Sequence, residues 1–256
     1  MVDDALRETP AQARVRWLGV ALLLGVALVS ACAVLGKSLY HVFLLKQTGG
    51  IVVTGSSKRR ITSDRIVWKA SIVSRAPDLK SAYKGLAEDL PKLARFIEEG
   101  GVDPKLIVTS SVRIGEIHPK DKEGHELEET IAAYSVEQDV TVESDDVARI
   151  AKLSRDATKL IEQGLHIQSE PPLYLYTKLA DLKIQMLADA SRDARVRAEQ
   201  IAGQTGARIA RLQAAHMGVM QVNAANVSEV SGSGMNDTTS LEKDVLAVVT
   251  ATFGIE

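Results

Sequence analysis

The chain has 256 residues, 45% of them apolar, with 31 Lys+Arg against 33 Asp+Glu and a net charge of −2. That balance and an aromatic content of 4% exclude a basic nucleic-acid footprint and a base-stacking platform, so no nucleic-acid partner is expected. The single cysteine, Cys32, excludes an internal disulfide framework and any CxxC metal or redox site.

Leu18 to Gly36 reads LGVALLLGVALVSACAVLG without a charge. As a helix it would span roughly 28 Å, close to a bilayer's hydrocarbon thickness. Trp17 and Tyr40 bracket it as interfacial aromatics do. A cleaved signal peptide would need polar sequence next, but Leu39, Tyr40, Val42, Phe43, Leu44 and Leu45 follow. Val29-Ser30-Ala31-Cys32 resembles a lipoprotein box with Cys32 lipidated, and meets the same objection. The sequence therefore predicts a cytoplasmic tail over 1–17, a transmembrane anchor and juxtamembrane segment over 18–45, and a folded domain over 50–256. Arg7, Arg14 and Arg16 ahead of the span, against Lys37 and Lys46 after it, put the tail inside. The expected location is the bacterial inner membrane, with the membrane as a partner and the C-terminal domain in the periplasm. Ala31 to Ser38 fits a relaxed phosphate-loop pattern, but it ends a helix rather than following a buried strand.

In the remainder, Ile51 to Thr54 reads as a strand stopped by Gly55. Ile66, Trp68, Ala70 and Ile72 alternate with Val67, Lys69, Ser71 and Val73 in a half-buried strand over 66–74. Asp78 caps a helix that carries Leu79, Ala82, Tyr83, Leu86, Leu90, Leu93, Ala94 and Ile97 at helical spacing and ends at Gly100-Gly101; Pro91 predicts a kink or break near Asp89. Strands over 106–117 and 131–142 flank a charged connection, 119–129. A helix runs from 145 to 163 with Ser144 as N-cap and Gly164 as stop. Residues 165–176 are extended around Pro171-Pro172. The longest helix covers 178–202. Strands over 208–222 and 245–253 close the chain around a Ser/Gly/Asn-rich loop, 223–240. The order β-β-α-β-β-α-β-α-β-β, with two approximate β-β-α units at the start, predicts an α+β fold with an antiparallel or mixed sheet and packed helices, behind the transmembrane helix.

In the long helix Leu179, Leu182, Met186, Ala190, Ala194, Ala198 and Ile201 form the core stripe, with large residues leading and alanines following, so Ala194 and Ala198 are expected to be buried against a backbone or sheet. Asp193 and Arg197 make an i,i+4 pair on a charged face, read either as solvated or as a subunit contact. Val52-Val53-Thr54-Gly55 with Asp64, Tyr174 to Leu179 followed by Ala190, Asp193-Ala194-Arg195, Ala198, Ala202 and Gly206, and Met217-Gly218-Val219 with the closing Lys243 to Phe253 strand together resemble the SIMPL-domain family, domain of unknown function 541. The resemblance covers about 51–253. It implies an envelope domain without an established reaction, with relatives that form oligomers and proposed links to stress defence.

Candidate chemistry is sparse. His118 and His125 flank a loop with Asp121, Glu123, Glu126, Glu128 and Glu129, but their spacing is wide and a solvated connection is the better reading. His166 and His216 stand alone, no GxSxG elbow occurs, and the Ser231 to Gly234 loop lacks a phosphate-binding Lys. No catalytic, cofactor-binding or metal residue is assigned and no cofactor is expected. The sequence points to a non-enzymatic, membrane-anchored envelope protein that self-associates as a scaffold or binding domain. The alternative is an enzyme whose site has no recognisable motif.

Overall fold

A computed structural model describes residues 25, 28–40 and 50–256. Strands β1 (Gly50–Thr62) and β2 (Arg65–Ala76) lead into helix α1 (Leu79–Glu99). Strands β3 (Ile107–Thr109), β4 (Arg113–Ile117) and β5 (Ala133–Ser144) precede α2 (Val147–Asp156), which continues as a 3-10 turn (Ala157–Gln163). Strands β6 (Ile167–Ser169) and β7 (Leu173–Leu175), helix α3 (Leu179–Gln204), and strands β8 (Ile209–Met217), β9 (Gln221–Ala224) and β10 (Glu242–Ile255) complete the order. One sheet runs β1-β10-β8 with β9 also on β10; the other runs β3-β5-β2-β6, with β4 on β5 and β7 on β2. Every pairing in the second sheet is antiparallel. The α+β architecture is thus as the strand and helix periodicities predict.

The transmembrane helix is not. Among the described residues no helix is long and apolar enough to cross a membrane. This overturns the anchor expected over Leu18 to Gly36. The single-pass attachment, the membrane as partner and the inner-membrane location that depended on it fall with it. The remainder of that segment, the tail over 1–17 and the juxtamembrane residues 41–45 lie outside the described residues.

The chain divides into two compact units, residues 1–53, 198–214 and 252–256, and residues 54–197 and 215–251. In the first, Arg208 and Glu256 exchange two backbone hydrogen bonds, of 3.0 and 2.8 Å, and Gly206 at φ 74 ends α3. The second holds two apolar clusters. In the larger, Ile66, Trp68, Ala70 and Ile72 of β2 and Val136, Val140 and Val142 of β5 pack under Leu86, Leu93 and Ile97 of α1 and Ile150 of α2. Trp68 satisfies its indole by donating to Ser169 Oγ at 3.0 Å, which in turn donates to the Ser154 carbonyl at 2.9 Å. In the smaller, Leu182 and Met186 of α3 meet Ile61, Val222, Val245 and Ala247.

Several local expectations are corrected. Helix α1 runs through Pro91 without the break that is one of the two outcomes expected near Asp89, and Pro91 and Ala87, whose carbonyl loses its partner, both face solvent. The strand expected over 106–117 is split at 110–112, and that over 208–222 at 218–220. Helix α2 is capped by Asp146, which accepts from Arg149 N at 3.1 Å, rather than by Ser144. Strand β1 does not stop at Gly55. A Cβ there would lie 2.2 Å from the Ala190 carbonyl oxygen and 2.3 Å from Ala194 N, so the glycine marks where β1 and α3 meet backbone to backbone. Ala190, Ala194 and Ala198 are fully buried, as their place on the helix predicts.

Replacing Gly55 with Ala is therefore expected to lower stability by about 3 kcal/mol, the upper end of overpacking costs. Gly203→Ala, where an added Cβ meets nothing within 4 Å, should stay within about 1 kcal/mol of the parent. Chemical denaturation of the two variants side by side checks the contrast.

Candidate functional site

Buried charge in the larger unit is mostly matched. Asp139 receives Arg113 through two bonds of 2.7 and 2.8 Å, the Ser71 hydroxyl at 2.7 Å and Lys69 at 3.4 Å, and these hold its carboxyl well below the usual range. Asp244 is clamped by Arg60 at 2.9 Å, by the Asn226 backbone N–H at 2.9 Å and by Lys58 at 3.1 Å, with the same effect. Both acids are saturated with partners and read as structural ties.

Lys243 is different. It opens β10, is only 2% exposed, and donates to the backbone carbonyl of Asp237. Its ammonium faces the Asp237 carboxylate at 3.6 Å, too long for a hydrogen bond. Burial pushes the ammonium below its ordinary pKa, and Asp237 offsets only part of that. The Asp237 carboxyl is pushed up by burial, but the hydroxyl and N–H of Thr239, both bonded to Oδ1, the nearby Ser240 hydroxyl and the Lys243 charge outweigh this and bring it down to about 2. Its Oδ2 is buried without a hydrogen-bond partner among the described residues, as is the Oγ of Ser63. Ser63 is tied nearby, its N–H donating to the Leu241 carbonyl at 2.9 Å.

Four segments fix this pair on the wall of a cleft of about 370 Å³. The β1–β2 turn supplies Asp64, whose carboxylate accepts from the N–H and hydroxyl of Thr177 at 2.7 and 2.8 Å and so holds the approach to α3. Strand β7 supplies Tyr174, whose N–H donates to the Thr238 carbonyl at 2.7 Å. The end of the 223–240 loop is pinned to β9, with Val222 N donating to Met235 O at 2.8 Å and Asp237 N to Val222 O at 2.9 Å. Tyr174, Tyr176, Thr177 and Asn236 line the walls, and Arg65, paired with Glu143 at 2.9 Å, closes one side. The lining charges are Arg65 and Lys243 against Glu143 and Asp237, so the cleft is electrically balanced.

The residues singled out in the sequence do not converge. His118 Nδ1 donates to the Thr130 carbonyl at 3.0 Å, while His125 lies 3.3 Å from Asp121 in a separate turn. Among the described residues no group of three or more His, Cys, Asp or Glu could hold a metal ion. His166 lines another cleft with Val73 and Ile161, His216 is exposed on β8, and Cys32 is exposed. Asp193 serves neither of the roles expected of it alone: its Oδ2 accepts from Ser56 N at 2.8 Å as well as from Arg197 at 2.8 Å, tying β1 to α3 within the chain. Sequence reasoning missed Lys243 and Asp237. The one usable signal was a lysine near the start of a strand whose later residues, from Val245 on, are mostly apolar.

Residues 51–253 match the family model SIMPL, protein of unknown function (DUF541). No curated protein matches the chain. A solved structure described as a candidate aminohydrolase from methicillin resistant Staphylococcus aureus is 16% identical, with a TM-score of 0.23, covering 57% of this chain and 37% of that one. A likeness of that size carries no argument about fold or reaction. The expectation of a non-enzymatic chain accords with the family match, since no reaction is assigned to the family.

The Asp237 carboxyl titrates near 2 in the folded chain against 3.8 ordinarily. A lowered acid contributes stability that is full above about pH 4 and lost as pH falls toward about 2. Asp237→Asn should therefore be less stable than the parent near neutrality, where Lys243 loses its counter-charge, and the gap should narrow through that acid window. Denaturant melts at several pH values measure it.

Proposed function

Because the chain belongs to the SIMPL (DUF541) family, to which no reaction is assigned, we propose that its cleft over Lys243 is a binding site for a small dipolar ligand rather than a catalytic centre. The observation that carries this reading is the buried Lys243–Asp237 pair, held at 3.6 Å with the Asp237 Oδ2 lacking a hydrogen bond. A buried polar atom without a partner costs about 1–3 kcal/mol, and a ligand group that supplies the missing bond recovers part of it. Lys243 has N–H donors beyond the one given to the Asp237 carbonyl, so the pair offers both a donor and an acceptor to one ligand.

Balanced lining charge disfavours a strongly anionic or cationic ligand and favours one that carries both signs or a dipole, such as an amino acid or dipeptide. Tyr174 and Tyr176 supply apolar area with a polar tip beside it, the composition usual in small-molecule sites. The cleft volume suits a molecule of that size.

A thermal-shift panel of zwitterionic amino acids and dipeptides, neutral sugars and dicarboxylates tests the proposal. Amino acids or dipeptides should raise the melting temperature of the parent and have no effect on Lys243→Met, which keeps the stem and removes the charge. Stabilisation of neither protein by any member of the panel, or of both equally, would overturn it.

A further inference from the structure

The chain has five methionines, of which Met1 lies outside the described residues. Met186 is fully buried in the smaller apolar cluster. The remaining three, Met217, Met220 and Met235, line one surface cleft of about 470 Å³, separate from Lys243 and Asp237. Methionine ordinarily fills irregular gaps in a core. Met217 fills none, being 58% exposed, and Met220 and Met235 are only half-buried.

Two chain segments are built to bring the three together. The β8–β9 turn, carrying Met217 and Met220, is fixed by Gly218 N donating to the Val248 carbonyl at 2.9 Å. The turn carrying Met235 is held beside it by Val222 N donating to the Met235 carbonyl at 2.8 Å. Gly234, at φ 91, lets that turn close: a Cβ there would lie 2.8 Å from Val219 Cγ1 and 3.3 Å from the Met220 carbonyl oxygen. Three methionines from two segments thus line one cleft; Met220 also packs against the smaller apolar cluster, whereas Met217 and Met235 belong to no core cluster among the described residues.

Thioether sulfur is a soft, neutral donor, and soft donors select Cu(I) over hard or borderline divalent ions. The rest of the lining agrees with that preference. It contains no carboxylate, thiol or imidazole to attract Mg(II), Ca(II) or Zn(II). Lys183, which also lines the cleft, adds a positive charge that repels a divalent ion more than a monovalent one. We propose that this cleft binds one soft monovalent cation, Cu(I) or Ag(I), through the sulfurs of Met217, Met220 and Met235.

Silver is the redox-inert probe. The full chain carrying Cys32→Ser, so that a thiol does not outcompete the thioethers, is labelled at the methionine methyl carbons and titrated with Ag(I) in chloride-free buffer. The methyl signals of Met217, Met220 and Met235, assigned by single Met→Leu variants, should shift together and saturate at one equivalent while that of Met186 stays in place. The near-isosteric pair Met220→Leu with Met235→Leu should keep the melting temperature of the metal-free protein and bind silver roughly tenfold more weakly or worse. If that pair fails to fold, Met217→Leu, at an exposed position, should show the same loss of affinity. Methyl signals unmoved at millimolar silver, or an affinity unchanged in these variants, would overturn the proposal.

Discussion

The approach of β1 to α3 at Gly55 is the constraint on which the larger unit depends. Two backbones can come within contact distance only if neither carries bulk between them, and here a glycine faces the Ala190 to Ala194 turn of the helix. The contact is then locked by polar groups on either side. Ser56 donates to Asp193 at 2.8 Å, and Arg59 reaches Gln185 at 3.0 Å and Asp189 at 3.1 Å. Further along α3, Leu182 and Met186 replace the alanines and the space fills with Ile61, Val222 and Val245. Leu179, at the N-terminal end of the same helix, lines the Lys243 cleft.

Buried charge is handled in two ways in the same unit. Asp139 and Asp244 each collect several donors, so desolvation is repaid within the chain. Lys243 and Asp237 face one another without completing their bonds, on the wall of a cleft rather than inside a packed layer. The difference is one of position: the saturated acids are met by arginines from neighbouring strands, whereas Lys243 meets a loop held by main-chain bonds to β7 and β9.

Much of the architecture was legible in the sequence. Period-two alternation at Ile66, Trp68, Ala70 and Ile72 marked a strand buried on one face, and the helical spacing around Leu86, Leu93 and Ile97 marked its cover. The motif residues that resemble the SIMPL family turn out to meet in space, Gly55 with Ala190 and Ala194, and Asp64 with Thr177. Pro91 misled, since a helix rule derived from lost hydrogen bonds does not see that solvent can take the freed carbonyl. The apolar run at Leu18 to Gly36 misled in another way: hydropathy reads composition, and no helix among the described residues has the length it implied. The Lys243 cleft was illegible because its parts come from a turn, an edge strand, a loop and the head of β10, and only tertiary packing makes that lysine buried.

The second sheet also differs from the first in how its borders are built. Its inner strands, β2 and β5, have 12 residues each, but each flank is made of two short pieces: β3 and β4 on one side, β6 and β7 on the other. Pro171 and Pro172 interrupt the latter and can donate no hydrogen bond. A foreign strand would find no continuous row of donors and acceptors along either flank, so this half of the fold resists templated aggregation. In the first sheet the β8–β9 flank is likewise broken, at 218–220, but β1 runs for 13 residues without interruption. If heating or acid loosens the molecule, association between chains should begin at β1, leaving the Trp68 core as the last part drawn into the aggregate.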